Sequence, residues 1–285
     1  MRMRRSGKVS GRPLFSWESG VNSVRQMAMR VATGFSREIA LPGISFARKP
    51  VAPYRAYVAA TEAERRAAYR LRFRVFNLEL QEGLDSAFAT GEDQDEFDAV
   101  CDHIIVEERG TGNVVGTYRL QTGSDAARHL GYYSAREFDF APYEPLRDQM
   151  VELGRACIHP NHRKYEVLML LWKTVARYVR DRGGRYLIGC SSLTSQDTEA
   201  GSAMYHRLKK NLAPEHLRTM PTPDYAFDLS EPAIKADPPK LLRTYLALGA
   251  EVCGPPALDR EFKTIDFLTL MDLNSLSPAI RGRLF

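Results

Sequence analysis

Charged side chains fall on or beside predicted β-strands, where they could carry chemistry. Asp95 and Asp98 lie in an acid-rich loop, Arg119 lies in a strand, and Glu152 and Arg155 share the strand Val-Glu-Leu-Gly-Arg-Ala-Cys-Ile. Charges beside apolar strands are costly to bury unless they are paired or functional. The five residues are therefore candidates for binding a polar substrate, and a structural ion-pair network is the alternative.

Hydrophobic periodicity predicts the elements that position these residues. Thr61 and Glu64 form a capping-box pattern that begins a helix running to Gly83. Residues 103–108 and 114–120 flank a glycine turn and indicate a β-hairpin. The remaining predicted elements are strands at 151–158, 186–191 and 264–270, and helices at 167–180 and 240–248.

The strand, helix and strand between residues 151 and 191 form a βαβ unit, which needs partly parallel pairing. The predicted fold class is α/β (α+β), with a mixed sheet. Glu152 and Arg155 lie three residues apart, so alternation places them on opposite faces unless a bulge at Gly154 re-aims one of them.

The charge is divided unevenly along the chain. Residues 1–55 carry eleven Lys or Arg against two acids, for a net +9, whereas the rest of the chain carries −4. Apolar residues between Val21 and Phe35 recur at helical spacing, which predicts an amphipathic helix. We expect a basic arm at 1–55 that contacts an anionic membrane surface, followed by a catalytic domain at 56–285.

Several classes of protein are disfavoured. The four cysteines are dispersed, without metal-ligand spacing, and indicate reduced thiols and no metal site. No run of about 18 apolar residues is present, so we expect a cytoplasmic protein held peripherally on the inner face of the membrane. The basic arm lacks a nucleic-acid-binding motif. A non-catalytic, basic membrane-binding module remains an alternative.

The charged residues also resemble the motif set of the acyl-homoserine-lactone synthases, which are GNAT-like enzymes. The stretch from about 57 to 273 resembles the ornithine-acyl carrier protein N-acyltransferases more closely. The matching stretches are 69–76, 116–120, 152–160, 187–193 and 256–262. The resemblance implies a GNAT-like fold, with a central, mostly antiparallel mixed sheet flanked by helices. It also implies acyl transfer from a (3-hydroxy) fatty acyl thioester to ornithine, which forms a lyso-ornithine lipid.

Residue roles follow from this resemblance and from the chemistry it requires. Deprotonating an α-amine at pH 7 costs about 1.4 kcal/mol, against about 4.6 kcal/mol for a side-chain amine, which favours the α-amine as nucleophile. Glu152 is the candidate base, and Tyr205 is either the acid or an ordinary core tyrosine. The candidate acceptor-binding residues are Asp95, Asp98, Arg119, Arg155 and Asp259.

The donor is expected to be acyl carrier protein, with no tightly bound cofactor. Coenzyme A-dependent GNAT enzymes usually hold the pyrophosphate on a glycine-rich turn at a helix N-terminus. Here that turn is Arg163-Lys164-Tyr165-Glu166, which lacks glycine and carries a carboxylate. Arg163 and Lys164, with Ser191 and Ser192, are the candidate donor-binding residues. Alternative functions are acylation of another amino acid, such as glycine, and an acyl-homoserine-lactone synthase-like reaction.

Overall fold

The structure is a computed structural model that describes residues 52–231 and 236–285. The predicted amphipathic helix at 21–35 lies outside these residues. The strands are β1 (Tyr54–Val58), β2 (Asp102–Glu108), β3 (Val114–Thr122), β4 (Met150–Ile158), β5 (Tyr186–Leu193), β6 (Glu251–Val252), β7 (Ala257–Asp259) and β8 (Thr264–Asp272). The α-helices are α1 (Glu62–Arg72), α2 (Gly123–Arg128), α3 (Tyr165–Asp181), α4 (Thr198–Leu208), α5 (Lys240–Leu248) and α6 (Pro278–Leu284). Short 3-10 helices include Asp85–Ala89, Glu96–Ala99, Tyr133–Arg136, Ala141–Gln149 and Pro160–His162.

The strands form one sheet in the order β1-β2-β3-β4-β5-β8-β6, and β7 pairs with β8. β4 and β5 pair in parallel, and the other neighbours are antiparallel. The predicted hairpin, the βαβ unit and the mixed, mostly antiparallel sheet are therefore confirmed. Six of the strands and α-helices have no counterpart among the predicted elements: the strands β1, β6 and β7 and the helices α2, α4 and α6.

Helices cover both faces of the sheet. Ile104 and Val106 of β2 pack in the cluster that contains Leu171 of α3. Ile105, which points the other way, packs with Tyr69 of α1. Because successive side chains of a strand point to opposite faces, α1 and α3 lie on opposite sides of β2.

The helix predicted from Thr61 begins where expected but changes from an α-helix to a π-helix. Thr61 accepts a hydrogen bond from the Glu64 backbone N–H, and the Glu64 side chain accepts one from the Thr61 backbone N–H. The α-helical hydrogen bonding ends at Arg72, and the chain continues as a π-helix over Phe73–Leu80. π-Helical turns are rare and are often associated with functional sites. Phe76 of this segment lines the cavities described below.

No helix in the described ranges is long and apolar enough to cross a membrane.

Candidate active site

A bulge in β4 brings Glu152 and Arg155 to one cavity. Arg119 of β3 pairs with Gly154 and Thr117 pairs with Cys157, so β4 contains one residue more than β3 over this stretch. Arg155 occupies the left-handed region, with φ 48°. The extra residue cancels the alternation expected for residues three apart. The conditional prediction of a bulge next to Gly154 is confirmed.

The cavity lies where β4 and β5 separate. The parallel pairing of these strands ends at Glu152 and Ile188, although both strands continue. A cavity of about 110 Å³ here has both apolar and polar walls, and we call it the polar cavity after its charged and polar side chains, which include Glu152, Arg155, Arg119, Gln121, Tyr133, Ser192 and Asp266. A second cavity of about 250 Å³ has largely apolar walls, which include Leu153, Trp172, Leu187, Tyr245 and Met271. The two cavities share wall residues, so a polar and an apolar compartment adjoin at the strand gap.

Glu152 is held by three donors. Its Oε1 accepts a hydrogen bond from the Ser134 backbone N–H at 2.8 Å. Its Oε2 accepts from the Tyr133 backbone N–H at 2.9 Å and from Gln121 Nε2 at 2.6 Å. A carboxylate has about four acceptor positions, so one remains for a ligand in the cavity. Glu152 is thus a fixed carboxylate that can still accept a proton or a hydrogen bond.

Asp98 belongs to a buried ion-pair network. Arg72 donates to both of its oxygens, at 2.6 and 2.8 Å, and Arg119 donates to one of them at 3.2 Å. Arg72 also donates to Asp93 at 2.8 Å. Burial alone would raise the pKa of Asp98, but the charges of Arg72 and Arg119 outweigh it and hold the pKa well below its usual value.

The two predicted acceptor-binding aspartates therefore contact protein cations. Asp95 accepts a hydrogen bond from Arg119, and neither Asp95 nor Asp98 lines the polar cavity. This geometry differs from the expected contact with a cationic acceptor, because arginines already neutralise both carboxylates. Arg119 lines the cavity, and the network sets the position of its guanidinium.

Arg155 is held in place by protein contacts, but one of its N–H groups has no partner among the described residues. Its Nη2 donates to the buried Asp93, and its guanidinium lies over the rings of Phe76 and Phe262, 4.3 and 4.6 Å from their centroids. Its Nε is buried and has no hydrogen-bond partner among the described residues. Because buried donors are normally satisfied, this N–H is available to an anionic group of a ligand in the cavity.

Two further carboxyl groups, which sequence reasoning missed, lie deeper in the wall. Glu137 and Asp266 are 0% and 4% exposed, and their oxygens and the Cys190 Sγ lie within 4.8 Å of one another. Burial raises the pKa of Asp266 to about 6, and burial together with the charge of Asp266 raises the pKa of Glu137 well above its usual value. An acid within the otherwise apolar strand Thr-Ile-Asp-Phe-Leu was the available signal for Asp266.

Asp259 has a structural position next to this pair. Its Oδ1 accepts hydrogen bonds from the backbone N–H groups of Glu261 and Phe262, at 2.8 and 3.0 Å. Asp259 is 2% exposed and does not line the polar cavity. These contacts fix the turn that carries Phe262 into the cavity wall.

The predicted donor-binding residues fall into two groups. Ser191 and Ser192 of β5 line the apolar cavity, and Ser192 lines the polar one as well. Arg163 is half-exposed and forms a two-bond ion pair with Glu79 at 2.7 and 2.6 Å. Lys164 precedes α3, and its Nζ lies 3.5 Å from the Tyr54 hydroxyl. The two basic residues are therefore outside both cavities.

Tyr205 of α4 lines neither cavity. It packs against an apolar cluster that contains Met204 and Leu258, and Lys209 lies over its ring. Tyr205 is thus partly buried against apolar side chains, which is the arrangement expected of the alternative to an acid role. His103 of β2 is a buried imidazole, 1% exposed, and burial lowers its pKa to about 4.

Comparison with known proteins identifies the family of this chain. The acetyltransferase (GNAT) domain matches residues 71–173. A Rhodobacter capsulatus protein named L-ornithine N(alpha)-acyltransferase is 32% identical over 246 residues, which cover 80% of this chain and 93% of the relative. A Brucella abortus protein of the same name is 30% identical, with coverage of 77% and 84%.

The chain belongs to the L-ornithine N(alpha)-acyltransferase family. It is an acyltransferase with a GNAT domain, as its sequence motifs predicted. Among solved structures, the AHL synthase LasI has a TM-score of 0.46 at 12% identity, covering 80% of this chain and 93% of that one. FeeM, an N-acyl amino acid synthase, has a TM-score of 0.46 at 13% identity, covering 80% and 97%.

Proposed function

We propose that this L-ornithine N(alpha)-acyltransferase family member transfers a fatty acyl group from acyl carrier protein to the α-amine of L-ornithine. The observation that carries the proposal is the junction of the two cavities at the β4–β5 gap. An amino acid needs paired charges, and an acyl chain needs apolar walls. The polar compartment offers Glu152 and Arg155, and the apolar compartment offers Trp172 and Leu187.

The reaction requires a neutral amine, because an ammonium has no lone pair to attack with. Glu152 removes one proton from the α-amine, directly or through water, and the nitrogen attacks the thioester carbonyl carbon. The C–N bond forms, the C–S bond breaks, and the second proton on nitrogen is lost to solvent, to which Glu152 also releases the first. A thiolate is a weak enough base to leave without prior protonation and takes up a proton from solvent, so the reaction needs no dedicated acid in the position expected of Tyr205.

Arg155 would orient the acceptor. Its unpartnered Nε–H can donate to the α-carboxylate of an amino acid, and Asp93 and the two phenyl rings hold the guanidinium in place. With its carboxylate on Arg155, the acceptor would present its α-amine to Glu152 on the same strand. Positioning of this kind accounts for a large part of the barrier reduction in two-substrate reactions.

Support for acyl carrier protein comes from the turn before α3. It contains no glycine, Glu166 lies in the first helical turn, and Glu79 pairs with Arg163. Carboxylates there would repel the pyrophosphate of coenzyme A, whereas a carrier protein presents a single phosphodiester.

Purified full-length protein should be incubated with L-ornithine and a 3-hydroxyacyl group on either acyl carrier protein or coenzyme A, and the products identified by mass spectrometry. We expect Nα-acylornithine from the carrier-protein donor and little product from the coenzyme A donor. Glu152→Gln should lower kcat/KM by about 100-fold or more, and Glu62→Gln on the exposed face of α1 should not. A lactone product, preference for glycine or efficient use of coenzyme A would overturn the corresponding part of the proposal.

A further inference from the structure

The carboxyl groups of Glu137 and Asp266 form a pair that the acylation chemistry does not use. Asp266 lines the polar cavity, and Glu137 lies behind it, with its Oε2 3.7 Å from Cys190 Sγ. Two adjacent carboxyl groups cannot both ionise cheaply in a buried site unless a cation joins them.

Each group has an oxygen without a partner. Among the described residues, no donor is paired with Glu137 Oε1 or Asp266 Oδ1, and both oxygens are buried. Without a ligand the two carboxyl groups can satisfy each other by sharing one proton, because they lie within hydrogen-bonding reach of each other. With both groups ionised, the pair calls for a ligand that is cationic and carries several N–H groups.

An organic ammonium fits this pair, because its charge and its N–H donors match two adjacent carboxyl groups. The neighbouring Cys190 adds no further negative charge, because burial and the nearby Glu137 charge raise the pKa of its thiol well above the usual value. The pair is also connected to Glu152 through two residues, Ser134 and Cys190. Ser134 donates its backbone N–H to Glu152, and its hydroxyl lies 3.5 Å from Cys190 Sγ. A substrate whose α-amine meets Glu152 can therefore extend its side chain toward Asp266.

We propose that Glu137 and Asp266 form the specificity pocket for the side-chain ammonium of a basic amino-acid acceptor. This inference rests on the proposed acylation of an amino acid, and it adds the two carboxyl groups that determine which amino acid is accepted. A terminal ammonium has three N–H donors, which match the two unpartnered oxygens, and its charge allows both carboxylates to ionise. An acceptor that lacks the ammonium leaves the pair buried and unpaired.

The test compares ornithine with norvaline, which has the same carbon skeleton without the side-chain amine. We expect Asp266→Asn to lower kcat/KM for ornithine by about 100-fold, mainly through KM, and to change kcat/KM for norvaline by about twofold or less. Calorimetric binding of ornithine without donor should weaken in parallel. Asp272→Asn, on the same strand but paired with Arg185 outside the cavity, is the matched control and should preserve the ornithine preference.

A second measurement needs no variant. Burial raises the pKa of Asp266 to about 6, and the side chains that modify it are Ser192, Asp259, Glu137 and Thr264. Cys190 and Tyr133 are the other titratable groups that face it. Because the side-chain ammonium stays charged, ornithine should bind more tightly as pH rises from 5 to 7 and Asp266 ionises. The ratio of the KM for norvaline to that for ornithine should therefore rise over this range, and the shared α-amine cancels in the ratio.

The outcomes separate the two proposals. If the wild-type protein acylates no amino acid, the proposed function fails. If it acylates ornithine and norvaline equally well, or if Asp266→Asn lowers both rates by the same factor, the specificity pocket alone is refuted. Loss of the ornithine preference on treatment with a chelator, with recovery on adding a divalent metal, would also refute it in favour of a metal site.

Discussion

Arg72 is the residue on which the buried charges beside the active site depend. Its guanidinium is 1% exposed and satisfies Asp93 and Asp98, which in turn hold Arg155 and Arg119. Burying several charges together is tolerable only when each has hydrogen-bonded partners, so the network acts as a unit. Arg72 lines neither the polar nor the apolar cavity, yet it positions two arginines that line the polar one.

Replacing Arg72 with Met should therefore cost about 3 kcal/mol of unfolding free energy at pH 7, because two buried carboxylates lose a cation. Arg65→Met, which removes an exposed partner of Glu62 on the same helix, should cost about 0.5 kcal/mol or less. Urea denaturation at pH 7 measures both changes. Equal costs for the two variants would refute the special role of Arg72.

The pH dependence of this cost has a definite sign. The folded-state pKa values of Asp93 and Asp98 are lowered, so these groups contribute stability above the unfolded pKa of about 3.9, and the contribution is lost as pH falls through the folded values. In Arg72→Met the folded-state pKa values rise. The difference in unfolding free energy between wild type and variant should therefore shrink as pH falls from 7 toward 4, in the same denaturation experiment.

Some residues of this site were predictable from the sequence. Glu152 and Arg155 were identified because they interrupt an apolar strand, and both line the cavity. Glu137 was missed because it follows a short 3-10 helix without any periodic pattern. Its approach to Asp266 depends on long-range packing of segments more than 120 residues apart. Asp95 and Asp98 were predicted to bind the acceptor, but in the structure they contact Arg119 and Arg72, which come from separate elements that spacing alone does not pair.

Among the secondary-structure elements, the positions of the strands were predictable, whereas the bulge in β4 and the separation of β4 from β5 were less so. Alternation and turn residues predict β2 to β5 closely, because the period of two is local. The point where β4 leaves β5 depends on the whole sheet. Gly154 signalled the bulge, but no sequence feature predicted that α1 continues as a π-helix carrying Phe76 into the cavity wall.

Gly189 lies just after the last parallel pair of β4 and β5, where the two backbones still approach each other closely. A Cβ placed there would lie 2.1 Å from the Leu153 carbonyl oxygen, which belongs to the backbone and cannot turn aside. Gly189→Ala should therefore shift β5 and destabilise the protein by about 1–3 kcal/mol. Because Gly189 lines the apolar cavity, KM for the acyl donor should rise more than KM for ornithine.

Gly110 provides the control for this change. It lies in the β2–β3 turn, and a Cβ there would meet nothing within 4 Å. Gly110→Ala should leave both KM values and the unfolding free energy close to wild type. If Gly189→Ala behaved like Gly110→Ala in thermal denaturation and steady-state kinetics, the close approach of the two strands would not govern the donor compartment.

At the scale of the whole molecule, the uneven charge is the basis for the predicted membrane contact. An acylated amino acid has a long apolar chain and partitions into lipid, so an enzyme that released it at a membrane surface would avoid carrying it through water. We therefore expect the net charge of +9 on residues 1–55, rather than the −4 on the rest of the chain, to attract anionic lipid.

The arm prediction can be tested by charge removal in the full-length chain. Each basic residue near an anionic surface contributes about 1 kcal/mol, so replacing three of them with Gln should weaken binding to phosphatidylglycerol vesicles by about 100-fold. The residues to change are Arg25, Arg30 and Arg37, and the charge-matched control changes the exposed Lys173, Arg177 and Arg180 of α3. Vesicle co-sedimentation measures binding, and turnover of a soluble donor should be the same in both variants. If both variants lost binding equally, net charge rather than the arm would attract the protein to the membrane. If the arm variant bound as well as wild type, the arm would have no role in membrane attachment.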